Sequence, residues 1–263
     1  MKKISLIIPA HNEEKRIGKT LEEYGAFLTK KKINREIDFE IIIVINNTSD
    51  KTEEVVKKIS KKYPEIKYLN FKLGGKGFAI IEGFKKALGG NSEYIGFVDA
   101  DMSTPADSFY ELVKKIEEES FFDGVIANRW DKKSDIKIKQ TISRRLVSRM
   151  GNIIIRTLFL FPYRDTQCGA KIFRKKIIKE NISKLITINW GFDVALLFCL
   201  KKESNAKIIS IPTTWEDKQE SKLNIKKTPL RVFFSLIRLR VFHSPFKFLV
   251  RMYRKLPKKL QIK

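Results

Sequence analysis

The strongest constraint on the fold is a repeated alternation. Short apolar, β-branched runs at residues 4–8, 39–45, 66–71, 94–98 and 124–127 are each followed by a polar loop. Segments of helical period lie between them, at 15–29, 51–62, from the Gly74-Gly75-Lys76-Gly77 turn to about Leu88, and at 105–120. In the first helix Ile17, Leu21, Tyr24 and Leu28 fall on one face. Asn46-Asn47-Thr48-Ser49-Asp50 is turn chemistry that also caps the helix after it. Strands alternating with helices predict an α/β fold with a mostly parallel central sheet, flanking helices and right-handed crossovers.

Past Asn128 the pattern loosens. Residues 143–161 read as a helix carrying Arg144, Arg145 and Arg149. Residues 168–173 read as a strand, 192–200 as a helix and 207–211 as a last strand. Residues 230–260 read as two short helices broken near Pro245. The simplest partition is one domain over residues 1–220 and a basic tail over 221–263. That tail holds thirteen Lys or Arg and no Asp or Glu, so it carries over half of the formal net charge of +24. Such charge demands an anionic partner.

Composition excludes several classes. Two cysteines, Cys168 and Cys199, make no disulfide framework and read as reduced and buried, which fits a reducing cytosol. Two Cys and two His do not make a zinc site. The apolar run from Ile4 to Ala10 is too short for a signal peptide, and no run reaches the roughly 18 residues of a spanning helix. The expectation is a protein neither secreted nor integral. Gly74-Gly75-Lys76-Gly77 lacks the P-loop spacing, and no G-x-G-x-x-G follows the first strand, which disfavours ATP hydrolysis and dinucleotide binding.

The first four strands end in loops of unusual chemistry, and a parallel sheet gathers such loops on one edge. They contain Pro9, Ala10, Asn12 and Glu13, then Asn46 and Asn47, then Gly75-Lys76-Gly77, and last Asp99 and Asp101. Alternate carboxylates at a bend suit a hard divalent cation held against phosphates. Lys76 at a helix start adds positive charge beside backbone donors. Together these point to a phosphorylated substrate.

The ordered segments SLIIPAHNEE, IIIVINNTSDKT, GGKGFAIIEGF, GFVDADMSTP, DTQCGAKIF, WGFDVALL and IPTTW…SKL resemble the family 2 glycosyltransferases of GT-A fold, from residue 4 to about 223. DTQCGAKIF and Ser221-Lys222-Leu223 most resemble the branch that includes the dolichyl-phosphate mannose and glucose synthases. The resemblance implies a nucleotide-sugar donor, a divalent cation (Mg²⁺ or Mn²⁺), a polyprenyl or dolichyl phosphate acceptor and an inverting displacement. It implies nucleotide contacts at Pro9, Ala10, Asn12, Glu13, Asn46, Lys76, Asp99 and Ala100. It implies metal contacts at Asp99, Asp101 and Ser103, and acceptor-phosphate contacts at Arg129, Arg144, Ser148 and Lys222. The family's second strand commonly ends in Asp-Asp-Gly-Ser. Here Asn46-Asn47 replaces the acids, leaving an Asn amide to meet a base edge. The family's Glu after Phe-Asp-Val is Ala195, so Asp193 is the sole acid of that segment. The donor reading leans to a UDP-sugar, with a GDP-sugar open.

A hydroxyl acceptor benefits from a general base, and Asp193 is the candidate. A phosphate monoester, with a second pKa of about 6, attacks without surrendering a proton to the enzyme. The basic residues from 129 to 149 suit that acceptor. A glycan hydroxyl with Asp193 as base is the alternative, and a non-enzymatic polyanion binder is the alternative of another class. No nucleic-acid-binding signature appears, and no nucleic-acid partner is expected. Lys247, Arg251, Arg254, Lys255 and Lys258 share one helical face among Phe, Leu and Val. This predicts a tail lying on an anionic membrane surface, with the enzyme peripheral on the cytoplasmic face.

Overall fold

The computed structural model describes residues 1–138, 142–185, 191–216, 235–237 and 239–241, with the side chains of residue 138 and of residues 142–148 left aside. Its first half follows the predicted alternation. Strand β1 (Lys3–Ala10) leads to helix α1 (Ile17–Ile33), β2 (Asp38–Asn46) to α2 (Thr52–Ser60), β3 (Ile66–Phe71) to α3 (Lys76–Leu88), and β4 (Tyr94–Phe97) to α4 (Ala106–Glu118). Next come β5 (Gly124–Asn128), β6 (Asp135–Ile138), α5 (Ile142–Phe159), β7 (Lys171–Arg174) and α6 (Lys175–Asn181). Helix α7 (Phe192–Ser204), β8 (Ile208–Pro212) and β9 (Thr214–Glu216) follow.

Seven strands form one sheet in the order β3-β2-β1-β4-β7-β5-β8. β1 lies parallel between β2 and β4, with Ile7 level with Ile42 and Phe97. β7 runs antiparallel to both neighbours, β4 and β5. β6 and β9 make a separate parallel pair. The sequence reading contains neither that pair nor the reversed direction of β7.

Period-2 alternation divides the core into two layers. Ile4, Leu6 and Ile8 of β1 and Ile41, Ile43 and Ile45 of β2 face α1, α2 and α4, where Leu21, Tyr24, Val56 and Phe109 are buried. Ile7, Ile42 and Val44 face the other way, toward Ile80 and Phe84 of α3 and Leu196 and Leu197 of α7. Leu236 and Leu239, in the described part of the predicted tail, join this second layer. The rest of that tail lies outside the described residues, as does Lys222. Both cysteines are buried and free.

α3 approaches β1 closely because residue 83 is glycine. A Cβ there would stand 2.5 Å from Cγ2 of Ile7. Gly83→Ala is therefore expected to destabilise the chain by about 1–3 kcal/mol through overpacking, read as a lower urea midpoint at unchanged slope.

Candidate active site

The carboxyl edge of β1, β2, β3 and β4 carries the loops that the sequence marked out. Each contains a residue with positive φ: Asn12 (54°), Asn47 (45°), Gly75 (126°) and Met102 (58°). Asn tolerates the left-handed region and Gly is at ease there, but Met pays a steric penalty. Met102 is held by its surroundings. On one side Thr20 Oγ1 donates to the Ala100 carbonyl (2.7 Å) and Tyr24 OH to that of Thr104 (2.9 Å). On the other, the Glu216 N–H of β9 donates to the Ser103 carbonyl (2.9 Å). α1 and β9 thus pin the turn that presents Asp99 and Asp101.

Asn46 ties three loops together. Its Nδ2 donates to the Ala10 carbonyl (2.9 Å), and its Oδ1 accepts the Gly75 N–H (2.9 Å). His11 Nδ1 bonds the Asn46 carbonyl at 3.0 Å. Both ends of its buried amide are thus bonded to backbone, which ties the expected base-reading residue to the loops on either side of it. The first loop is knitted to the second in the same manner. Asn12 Oδ1 accepts the Ser49 N–H (2.8 Å), and the Glu13 N–H donates to Thr52 Oγ1 (2.7 Å). Glu13 also pairs with Arg16 (2.7 Å). Pro9 and Ala10 end β1 beneath these contacts. A cleft of about 380 Å³ lies on the outer flank of this pair of loops, lined by residues from Asn12 to Arg16 with Ser49 and Asp50.

At the centre stands a row of alternating charges. Lys76 Nζ lies 2.7 Å from Asp99 Oδ1 and 3.3 Å from Asp193 Oδ2. Lys171 Nζ lies 2.6 Å from Asp193 Oδ1 and donates to the Cys168 carbonyl. The two ammonium groups flank the Phe97 ring, 5.9 and 5.3 Å from its centroid. Burial alone would raise the Asp193 pKa, but Lys171 and Lys76 overcome it and hold the carboxyl at about 2. Burial would lower Lys76, and Asp193 and Asp99 reverse that, so its pKa is raised. Gly169 makes room for Asp99, since a Cβ there would fall 2.0 Å from Asp99 Oδ2.

Asp101 accepts the Ser103 N–H at 3.0 Å and makes no ion pair among the described residues. Ser103 is buried beside it. No group of three or more His, Cys, Asp or Glu gathers as a metal site among the described residues.

Arg129, at the end of β5, is gripped in a fork by Asp165. Nε donates to Oδ2 (2.7 Å) and Nη2 to Oδ1 (2.9 Å), with the Arg129 N–H adding a third bond (3.0 Å). Its guanidinium lies 5.2 Å from the Trp215 ring centroid and 5.9 Å from that of Trp130. Burial pushes Asp165 upward, but Arg129 outweighs it and the pKa is lowered. Arg144 and Ser148 lie on α5, but their side chains are outside the described residues. Asp165, Gly169 and Lys171 are the site residues that sequence reasoning missed. All three lie within the DTQCGAKIF segment, so the signal was present but not assigned to individual side chains.

Residues 5–182, more than half of the chain, match the family described as Glycosyl transferase family 2. The chain belongs to that family. This glycosyl transferase is 31% identical over 242 residues to a dolichyl-phosphate beta-glucosyltransferase of Trichomonas vaginalis, covering 91% of this chain and 73% of the relative. It is 29% identical to the dolichyl-phosphate beta-glucosyltransferase of Homo sapiens, covering 84% and 70% respectively. Its fold is similar to that of glucosyl-3-phosphoglycerate synthase from Mycobacterium tuberculosis in complex with UDP. That match has a TM-score of 0.67 at 14% identity and covers 93% of this chain and 82% of the other. The GT-A reading of the α/β fold is thereby borne out.

Two outcomes follow from the ion pairs. Arg129→Met strands the buried Asp165 carboxylate and is expected to lower stability by about 3–5 kcal/mol, measured by urea denaturation. The Asp193 pKa falls on folding, from its ordinary 3.8 to about 2, so its contribution is complete above the unfolded value. That contribution is lost as pH falls through the folded value. Thermal melts between pH 5 and pH 2 should therefore show an acid-side slope that is shallower in Asp193→Asn.

Proposed function

We propose that this glycosyl transferase moves a hexose, glucose by likeness to its relatives, from a UDP-sugar to dolichyl or polyprenyl phosphate at a membrane surface. The observation that carries this reading is the double ion pair of Asp193 with Lys76 and Lys171. A carboxylate held by two ammonium groups, its pKa lowered by them, is a poor proton acceptor at neutral pH. The alternative with a glycan hydroxyl needs a base, and Asp193 was its candidate. A phosphate dianion needs none, because its own oxygen attacks the anomeric carbon as the bond from that carbon to the diphosphate breaks. The catalytic work then consists of positioning and of stabilising the departing diphosphate.

The donor set fits a hard divalent cation. Asp99 and Asp101 at the end of β4 would hold Mg²⁺ or Mn²⁺ beside the buried Ser103 hydroxyl. Two carboxylates with the remaining positions left to phosphate and water is how such ions are usually held on diphosphates. When bound, the ion supplies Lewis-acid stabilisation of the leaving group. Lys76, on a flexible stem between Asp99 and Asp193, is placed to bring a second positive charge to the same diphosphate. Asp193 serves as the anion that keeps Lys76 and Lys171 at the site. Arg129, already neutralised by Asp165, supports this region as a rigid strut, which leaves the approaching acceptor phosphate to Arg144, Ser148 and Lys222. The basic tail of residues 221–263 brings the enzyme to the cytoplasmic face of the membrane.

No helix among the described residues is long and apolar enough to cross a membrane.

Purified protein is expected to transfer glucose from UDP-glucose to dolichyl phosphate in detergent with Mn²⁺. Asp101→Ala should reduce this by at least about 100-fold while leaving the circular dichroism melt in place. The acid limb of kcat/KM should fall near pH 6, where the acceptor phosphate takes up its second proton. It should not move in Asp193→Asn. A limb that moves in this variant, or transfer to a glycan hydroxyl instead, would return Asp193 to the role of base.

A further inference from the structure

The row of charges at the sheet edge is graded from the interior to water. The Lys171 side chain is fully buried and that of Asp193 is 13% exposed, whereas those of Lys76 and Asp99 are 30 and 33% exposed. The inner end is fixed. Lys171 is tied to Asp193 at 2.6 Å and to the Cys168 carbonyl, with the buried Phe97 ring beside its ammonium. Any rearrangement falls to the outer end, where water can replace the contacts that are given up.

Lys76 has two partners that hold it unequally. Asp99 Oδ1 lies 2.7 Å from its ammonium, and Asp193 Oδ2 lies 3.3 Å away on a carboxylate that already serves Lys171. The backbone of Lys76 is anchored on the residue before it. Asn46 Oδ1 accepts the Gly75 N–H (2.9 Å), and the Gly75 carbonyl accepts the Ala79 N–H (3.0 Å) in the first turn of α3. Only the flexible four-carbon stem is left to carry the charge from one carboxylate to the other. Asp99 has less latitude. Its Oδ2 sits in the space that a Cβ of residue 169 would fill, and its Oδ1 carries the Lys76 ammonium.

An ammonium and a divalent cation cannot share one carboxylate oxygen in a partly buried site without strong repulsion. The oxygen that Lys76 holds belongs to an acid expected to hold the cation, so one positive charge has to yield. A diphosphate changes the balance, because it offers the ammonium a new anion beside its second carboxylate. We propose that Lys76 is a positioning residue that guards Asp99. It holds this carboxylate against a divalent cation arriving alone, and yields it, passing toward Asp193 and the diphosphate, when cation and nucleotide arrive together. The proposal rests on the donor and cation reading given above and adds a coupling to it. Nucleotide and cation strengthen each other's binding through the side chain that both of them displace from Asp99.

The test is Mn²⁺ binding to the full chain, read from the paramagnetic resonance signal of the free ion, without and with UDP. In the wild type, UDP should tighten Mn²⁺ binding by about 50-fold. Lys76→Met should bind Mn²⁺ alone about fivefold more tightly than the wild type, yet gain nothing once UDP is present. The tightening by UDP therefore shrinks by about fivefold or more, and calorimetry of UDP with and without Mn²⁺ should return the same factor. Lys76→Gln, neutral but still able to hydrogen-bond Asp99, repeats the comparison should the Met variant fail to fold. Lys76→Arg keeps the charge and should stay within about twofold of the wild type in both conditions. Weaker or unchanged binding of Mn²⁺ alone in the neutral variants, the result for a lysine that merely braces Asp99, overturns the proposal. So does an equal gain with and without UDP, which a stationary nearby charge would give. Absence of UDP binding in the wild type would sink the donor reading instead, and the comparison with Mn²⁺ alone would still decide whether Lys76 guards Asp99.

Discussion

Four charges in a row, Asp99, Lys76, Asp193 and Lys171, hold the carboxyl edge of this sheet in working order. They come from four separate parts of the chain: the end of β4, the start of α3, the first turn of α7 and the start of β7. Each charge is partly or wholly withdrawn from water, and none would be tolerable there alone. Alternation makes the row neutral, so burial that would be prohibitive for one group becomes affordable for four. The row favours the ionised form of Asp193, leaves Asp101 as the carboxylate without an ionic partner among the described residues, and sets Lys76 between two carboxylates.

Much of this architecture was legible from residues alone. The β-branched runs before Pro9, Asn46 and Asp99 predicted strands of a mostly parallel sheet, and β1, β2 and β4 run parallel in it. The helical face of Ile17, Leu21, Tyr24 and Leu28 is buried as a unit. The direction of β7 was not legible, because a four-residue apolar strand reads the same whichever way it pairs. The pairing of β6 with β9 was hidden for another reason. It joins segments almost eighty residues apart, and one of them, Asp135–Ile138, has too few apolar residues to announce itself.

For the site, sequence identified the loops better than the individual roles. Asp99, Lys76 and Asp193 were named, and the structure brings all three together. Asn46 was expected at a base edge because of its amide, and composition could not reveal that the same amide also bonds the backbone of Ala10 and Gly75. Lys171 was overlooked because a lysine inside an apolar run looks like a surface residue on a strand end. It is in fact fully buried.

β7 enters the sheet from the opposite direction and wedges between β4 and β5, more than seventy residues after the aspartate it supports. Gly169 and Lys171 therefore reach Asp99 and Asp193 only after the chain has doubled back. On the ribosome, the amino-terminal strands can pair while the reactive edge is still incomplete. The nascent half-protein carries Asp99 and Lys76 without Asp193 and Lys171, so the charge row is completed only once β7 and α7 have joined the sheet.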